Sequence, residues 1–88
     1  TQFMYAGDLK HVQLRYIGNS VDSILDRLPT AEIISQKGNE YVISAEAYGR
    51  GLLVWLLSQG NVVEVIAPET VREEMREMLR EILGKYEV

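Results

Sequence analysis

An α+β fold, a ferredoxin-like βαββαβ sandwich with an additional C-terminal helix, is predicted by three features of this sequence. Apolar residues alternate along 11–17, 40–48 and 61–67, the period of a half-buried strand. They recur every three or four residues along 18–29 and 68–86, the period of an amphipathic helix. The order of these periods along the chain is β-α-β-β-α-β followed by a terminal helix, the split β-α-β layout.

The first strand is "HVQLRYI", with Val12, Leu14 and Tyr16 on one side and His11, Gln13 and Arg15 on the other. "GNSVDSILDRLP" then spaces Val21, Ile24, Leu25 and Leu28 as one helical stripe, with Asn19 or Ser20 as N-cap and Pro29 as the stop. "AEIIS" and "EYVISAEAY" flank a Gly-Asn turn and predict a hairpin. The segment 49–60 carries the run "LLVWLL", too broad for a single stripe, and Gly60 suits the position after a helix C-cap. "NVVEVIA" returns to strand period, and Pro68 with Glu69 suits a helix start. The last helix aligns Val71, Met75, Met78, Leu79, Ile82, Leu83 and Tyr86, with Glu73/Arg76, Glu77/Arg80 and Glu81/Lys85 as pairs on its solvated side.

With 88 residues, 47% hydrophobic and 25% charged, the chain is expected to form one small globular domain with a modest core. A formal net charge of −4 argues against gripping a nucleic-acid backbone unaided, because that binding rests on Lys and Arg neutralising phosphates. No cysteine and a single histidine exclude a disulfide framework, a thiolate zinc site and a His-cluster metal site; no metal ligands and no cofactor are predicted. The longest apolar run, residues 52–57, is far short of the roughly 20 residues that span a bilayer, so no membrane partner and a soluble, cytoplasmic domain are expected. The opening "TQFMY" lacks an initiating Met and a secretion signal, which predicts an excised or processed piece, with residues 1–10 as an arm or linker and 11–88 as the domain.

Catalytic residues are not predicted: there is one His, no nucleophile-elbow serine and no Gly-rich phosphate loop. Helices cover one face of such a sheet, which leaves His11, Gln13, Arg15, Ile34, Val42, Ser44, Glu46, Val62, Glu64 and Ile66 on the other. That mixture suits an interface or ligand platform, of which His11, Gln13, Glu46 and Glu64 are candidates; the competing reading is that the arm with Phe3, Met4 and Tyr5 folds over it. Tyr48 and Arg50 are candidate ligand-binding residues, a ring and a guanidinium for an aromatic or anionic ligand, against the plainer reading of the pair as cover for a helix start. Trp55 among leucines fits core or a domain interface, and Met75/Met78 fit packing.

"FMYAGDLKHVQLRY", "VDSILDRLP", "LLVWLLSQGNVVEVIAPETVREEMREML" and the closing "KYEV" resemble the C-terminal extension of WYL-domain transcriptional regulators of bacteria, the WCX domain. The resemblance spans nearly the whole chain and is most specific over 55–74, a Trp-Leu-Leu-x-x-Gly turn, a Val-rich strand and a Pro before the last helix. It implies that residues 1–10 lead in from a WYL domain. It also implies a regulatory module beside a DNA-binding helix-turn-helix, one that contributes to dimerisation and to the response to an effector. By the same resemblance, the partners are a second copy or the chain's own WYL domain, and the effector is a nucleotide or single-stranded nucleic acid met by Arg15 and Arg50. No operator binding is expected of this chain itself. Two other readings stay open: a free-standing small-molecule sensor on the same sheet, and an acylphosphatase-like hydrolase, for which "IGNS" makes a poor anion loop.

Overall fold

The central strand β1 (Leu9–Ile17) carries the core on every second residue: Val12, Leu14 and Tyr16 are buried while their neighbours are not. The computed structural model describes residues 9–87, without the side chain of Arg50, so the expected N-terminal arm with Phe3, Met4 and Tyr5 lies outside the described residues. After β1 come α1 (Val21–Arg27), β2 (Glu32–Lys37), β3 (Glu40–Tyr48), α2 (Gly49–Ser58), β4 (Val63–Ala67) and α3 (Glu69–Tyr86). The four strands form one antiparallel sheet in the order β2-β3-β1-β4, with three helices, and both the strand order and the element order are consistent with the ferredoxin-like layout.

Register decides which residues share a face. Leu14 lies between Ile43 of β3 and Val65 of β4, and Val12 lies beside Ala45, so the inward residues of three strands form one apolar layer. Ile24 and Leu28 from α1, Leu52, Leu53 and Leu56 from α2 and Val71 from α3 close over it. Tyr16 and Tyr41 sit opposite each other on this face with ring centroids 6.0 Å apart, a tilted aromatic pair.

The turn after β1 depends on a close approach. The Tyr16 hydroxyl accepts the Ser20 N–H at 2.8 Å, holding the ring under Gly18 at the start of α1. A Cβ at Gly18 would meet the Tyr16 hydroxyl and stand 2.8 Å from its Cζ. Gly18→Ala should therefore displace the ring and break that bond, lowering stability by about 2 kcal/mol in chemical denaturation. Gly60→Ala, at φ +69° in open space, should cost only about 1 kcal/mol.

Several sequence expectations need correction at the ends. Strand β1 starts two residues earlier than expected and β4 begins two residues later, at Val63, whereas α2 ends at Ser58 with Gln59 as its C-cap, as expected. Gly60 does take the position after the C-cap, with positive φ. Pro68 is the N-cap of α3 and not its first helical residue, following a cis Ala67–Pro68 bond. Ser20 is the N-cap of α1 but makes no side-chain capping bond.

Strand β2 is exposed along its whole length, because the seven-residue α1 is too short to cover the sheet's outer edge. A shift in register between Ile33 and Ser35 leaves Ile34 at an irregularity instead of in the regular alternation assigned to the open face. Such a break in an edge strand blunts its tendency to pair with another chain. Along α3, Val71 is buried and Met75, Met78 and Ile82 are half-buried, but Leu79, Leu83 and Tyr86 are exposed; the expected seven-residue stripe is a core contact only in its first half. Among the described residues the Glu81–Lys85 pair does not form.

Candidate functional site

The helix-free face of the sheet gathers most of the sequence-predicted residues. His11, Gln13 and Arg15 of β1 stand opposite Glu46, Ser44 and Val42 of β3, and Arg15 also stands opposite Glu64 of β4. Strand alternation alone places these side chains together, since two-residue periodicity sends every second one to this face.

Arg15 is the hub. Its Nε lies 3.2 Å from Glu40 and its Nη1 donates to Glu64 at 2.7 Å. Glu64 in turn receives Arg72 of α3 at 3.2 Å, while Arg72 also donates to the Val65 carbonyl at 2.8 Å and approaches Glu69 at 3.6 Å. Arg76 continues the line to Glu69 at 2.8 Å and to Glu73 at 2.9 Å. One chain of alternating charges therefore runs from the open sheet face over β4 and along the first turns of α3. The Arg72–Val65 bond also occupies a main-chain acceptor of β4, an edge strand, and tethers the helix to it.

Partial burial pushes the Glu64 carboxyl up, but the hydrogen bonds from Arg72 and Arg15, with their charges, outweigh it and hold Glu64 below its ordinary value. The Arg76 hydrogen bond lowers Glu73, and the hydrogen bonds from Glu73 and Glu69 raise Arg76. A carboxyl lowered in the folded state adds stability above its unfolded pKa, and that stability is lost as pH falls through the lowered value. The urea midpoint should thus fall on acidification below pH about 4. Glu64→Gln should remove no more than about 1 kcal/mol of the neutral-pH stability, the usual yield of exposed pairs, and should flatten this acid dependence. A variant with the same acid slope as the parent would show that Glu64 is not its source.

Ser44 and His11 share a hydrogen bond of 2.8 Å between Oγ and Nε2, and Nδ1 of His11 is 4.0 Å from Glu46. That last distance is too long for the bond that orients a catalytic imidazole, so this row is a cross-strand polar contact. Thr30 closes the same end of β3, where its hydroxyl accepts the Glu46 N–H at 2.8 Å and donates to the Glu46 carbonyl at 3.3 Å. By register Glu32, Glu40, Glu46 and Glu64 share the face with the cations Arg15 and Lys37, so the open sheet is acidic on balance. A phosphate reaching Arg15 would have to displace a carboxylate.

Tyr48 and Trp55 come together elsewhere. They line a pocket of about 370 Å³ between the end of α1 and the start of α2, with Arg27, Leu28, Pro29 and Leu52. Tyr48 is the N-cap of α2, and Arg50 lies in the first turn with its side chain outside the described residues. Trp55 is half-buried against the core, and its indole N–H is the one buried side-chain polar group without a partner among the described residues. Such an orphaned donor is suited to an acceptor brought by a ligand or a neighbouring domain. Arg27, Glu40 and Arg72 escaped the sequence reading, because their roles depend on which elements meet in space.

No three His, Cys, Asp or Glu residues converge as a metal site among the described residues, and no described helix is long and apolar enough to cross a membrane. Comparison with the curated proteins returns no relative of this chain. The family model of the WCX domain matches residues 14–83, from the middle of β1 to the last turn of α3, and the chain belongs to the WCX domain family.

Proposed function

We propose that this chain is the C-terminal regulatory module of a WYL-type helix-turn-helix transcriptional regulator, a ferredoxin-like domain that contributes to dimerisation and effector response. The observation that carries the reading is the family match over residues 14–83 on a sheet with one face left clear of helices. A mixed polar and apolar face of this kind suits docking against a second copy or against a WYL domain. His11, Gln13, Glu46 and Glu64 are its contact residues, and Trp55 serves the same role on α2.

The effector in the longer protein is a nucleotide or single-stranded nucleic acid. Tyr48 offers a stacking ring, with Arg50 and Arg15 as cations, Arg15 only after release from Glu40 or Glu64. The domain works in the cytoplasm, binds no operator by itself and catalyses no reaction.

Light scattering after gel filtration, across a range of concentrations, tests the assembly. Titration of the longer regulator with short oligonucleotides tests the effector. A mass of two chains that persists on dilution, and a titration that saturates and weakens with Tyr48→Ala, support the reading. A single-chain mass at every concentration, with no oligonucleotide response, overturns it. Turnover of acyl phosphates by the purified chain would overturn its non-catalytic part.

A further inference from the structure

We propose that the exposed flank of α3 is the seam of a two-fold dimer, in which Tyr86 of each copy seats in the groove between α2, β4 and α3 of the other. The inference rests on the reading above that the chain assembles; it gives the second copy to α3 and leaves the open sheet face, with His11, Gln13, Glu46 and Glu64, to the WYL domain. Leu79, Leu83 and Tyr86 are 45%, 53% and 81% exposed. At 100° per residue they fall within one narrow stripe, i, i+4 and i+7, which continues the line of Met75 on the same helix. Tyr86 is the extreme case, a large ring left in water at the end of an 18-residue helix.

Beside the other end of this stripe lies its receiver, an open groove of about 430 Å³ whose apolar lining includes Leu56, Leu57, Val63, Met75 and Leu79, with Arg72 and Arg76 also along it. A space of this size accepts an aromatic side chain. Met75 and Leu79 belong to both stripe and groove, so the two form one continuous apolar surface.

A second copy fits this surface because knob and hole lie on the same helix. Met75 and Tyr86 are roughly 16 Å apart along α3 at 1.5 Å per residue. An antiparallel pairing with its axis midway between them sets each Tyr86 over the other copy's Met75, and each Leu79 against the other copy's Ile82. The same register brings Glu87, exposed at the C-terminal end, alongside Arg72 and Arg76 of the other copy. Antiparallel pairing is thereby favoured by charge; a parallel pair would leave both Tyr86 rings at one end and both grooves empty.

Sedimentation velocity on the 88-residue chain and three variants tests this. The parent should be a dimer, and Leu83→Glu should be a monomer throughout the concentration range. Tyr86→Ala should raise the dissociation constant by at least about 30-fold, the loss expected of a hot-spot side chain. All three positions changed are at the surface or half-buried, and circular dichroism confirms that each variant is folded. Gln13→Arg, on the open sheet face, should remain a dimer. Dimers of Leu83→Glu and Tyr86→Ala together with a monomeric Gln13→Arg would overturn the α3 seam while leaving assembly intact. A parent that is monomeric at every concentration would overturn both.

Discussion

Leu14→Ala should lower the unfolding free energy by about 3 kcal/mol, seen as a fall in urea midpoint with unchanged slope. Leu14 is 0% exposed on a central strand. Its neighbours in register, Ile43 and Val65, are held in place from both sides by backbone pairing, so the sheet has little freedom to collapse into the space left behind. The removed methyl groups lose their burial and the cavity persists, and both terms destabilise. In a domain whose whole stability is of order 5–15 kcal/mol, this is a large fraction. A change below about 1 kcal/mol would mean that the layer between sheet and helices is loosely packed around this residue.

The strands that hold Leu14 were legible in the sequence because a strand with one buried face writes its exposure into every second residue. Val12, Leu14 and Tyr16 are buried, as the alternation in "HVQLRYI" predicts, and Val63 and Val65 are likewise turned inward on β4. Turn chemistry was legible for the same local reason: Gly38 has φ +62° in the hairpin turn and Gly60 has φ +69° after α2, both conformations that favour glycine.

What the sequence did not disclose is how far each element reaches past its neighbours. The pattern of α3 is equally apolar at Val71 and Leu83, yet only the first lies over the sheet. Likewise "AEIIS" reads as one strand of a hairpin, but that strand lies on an edge that the short α1 leaves bare, with Ile33 and Ile34 both exposed. The candidate site divides in the same way. Alternation put Arg15 and Glu64 on one face, but their contact, and its extension through Arg72, depends on β4 lying beside β1 and on α3 folding back across it. No local period encodes those adjacencies.

That docking of α3 is open to direct test, because it has one buried anchor. Val71→Asp should destabilise the region by about 4 kcal/mol, since Val71 is 0% exposed and a carboxylate there would be buried among apolar side chains without a partner. The remaining hold on α3 consists of the half-buried Met75 and Met78 and the hydrogen bonds from Arg72, which are too few and too solvated to offset a loss of that size. The strands β1 and β3 are joined by nine residue pairs and covered by α1 and α2, and do not depend on Val71. The expected result is local: amide protons of α3 and of the outer edge of β4 exchange rapidly, while those shared by β1 and β3 stay protected. Helix content should fall, because a detached α3 keeps only its own i, i+3 pairs, too little to hold a helix of this length in water. Unchanged protection along α3 would show that Val71 is not its anchor. Loss of protection in all four strands at once would instead make the helix part of a single cooperative unit, so that any partner seated on α3 would act on the stability of the whole sheet.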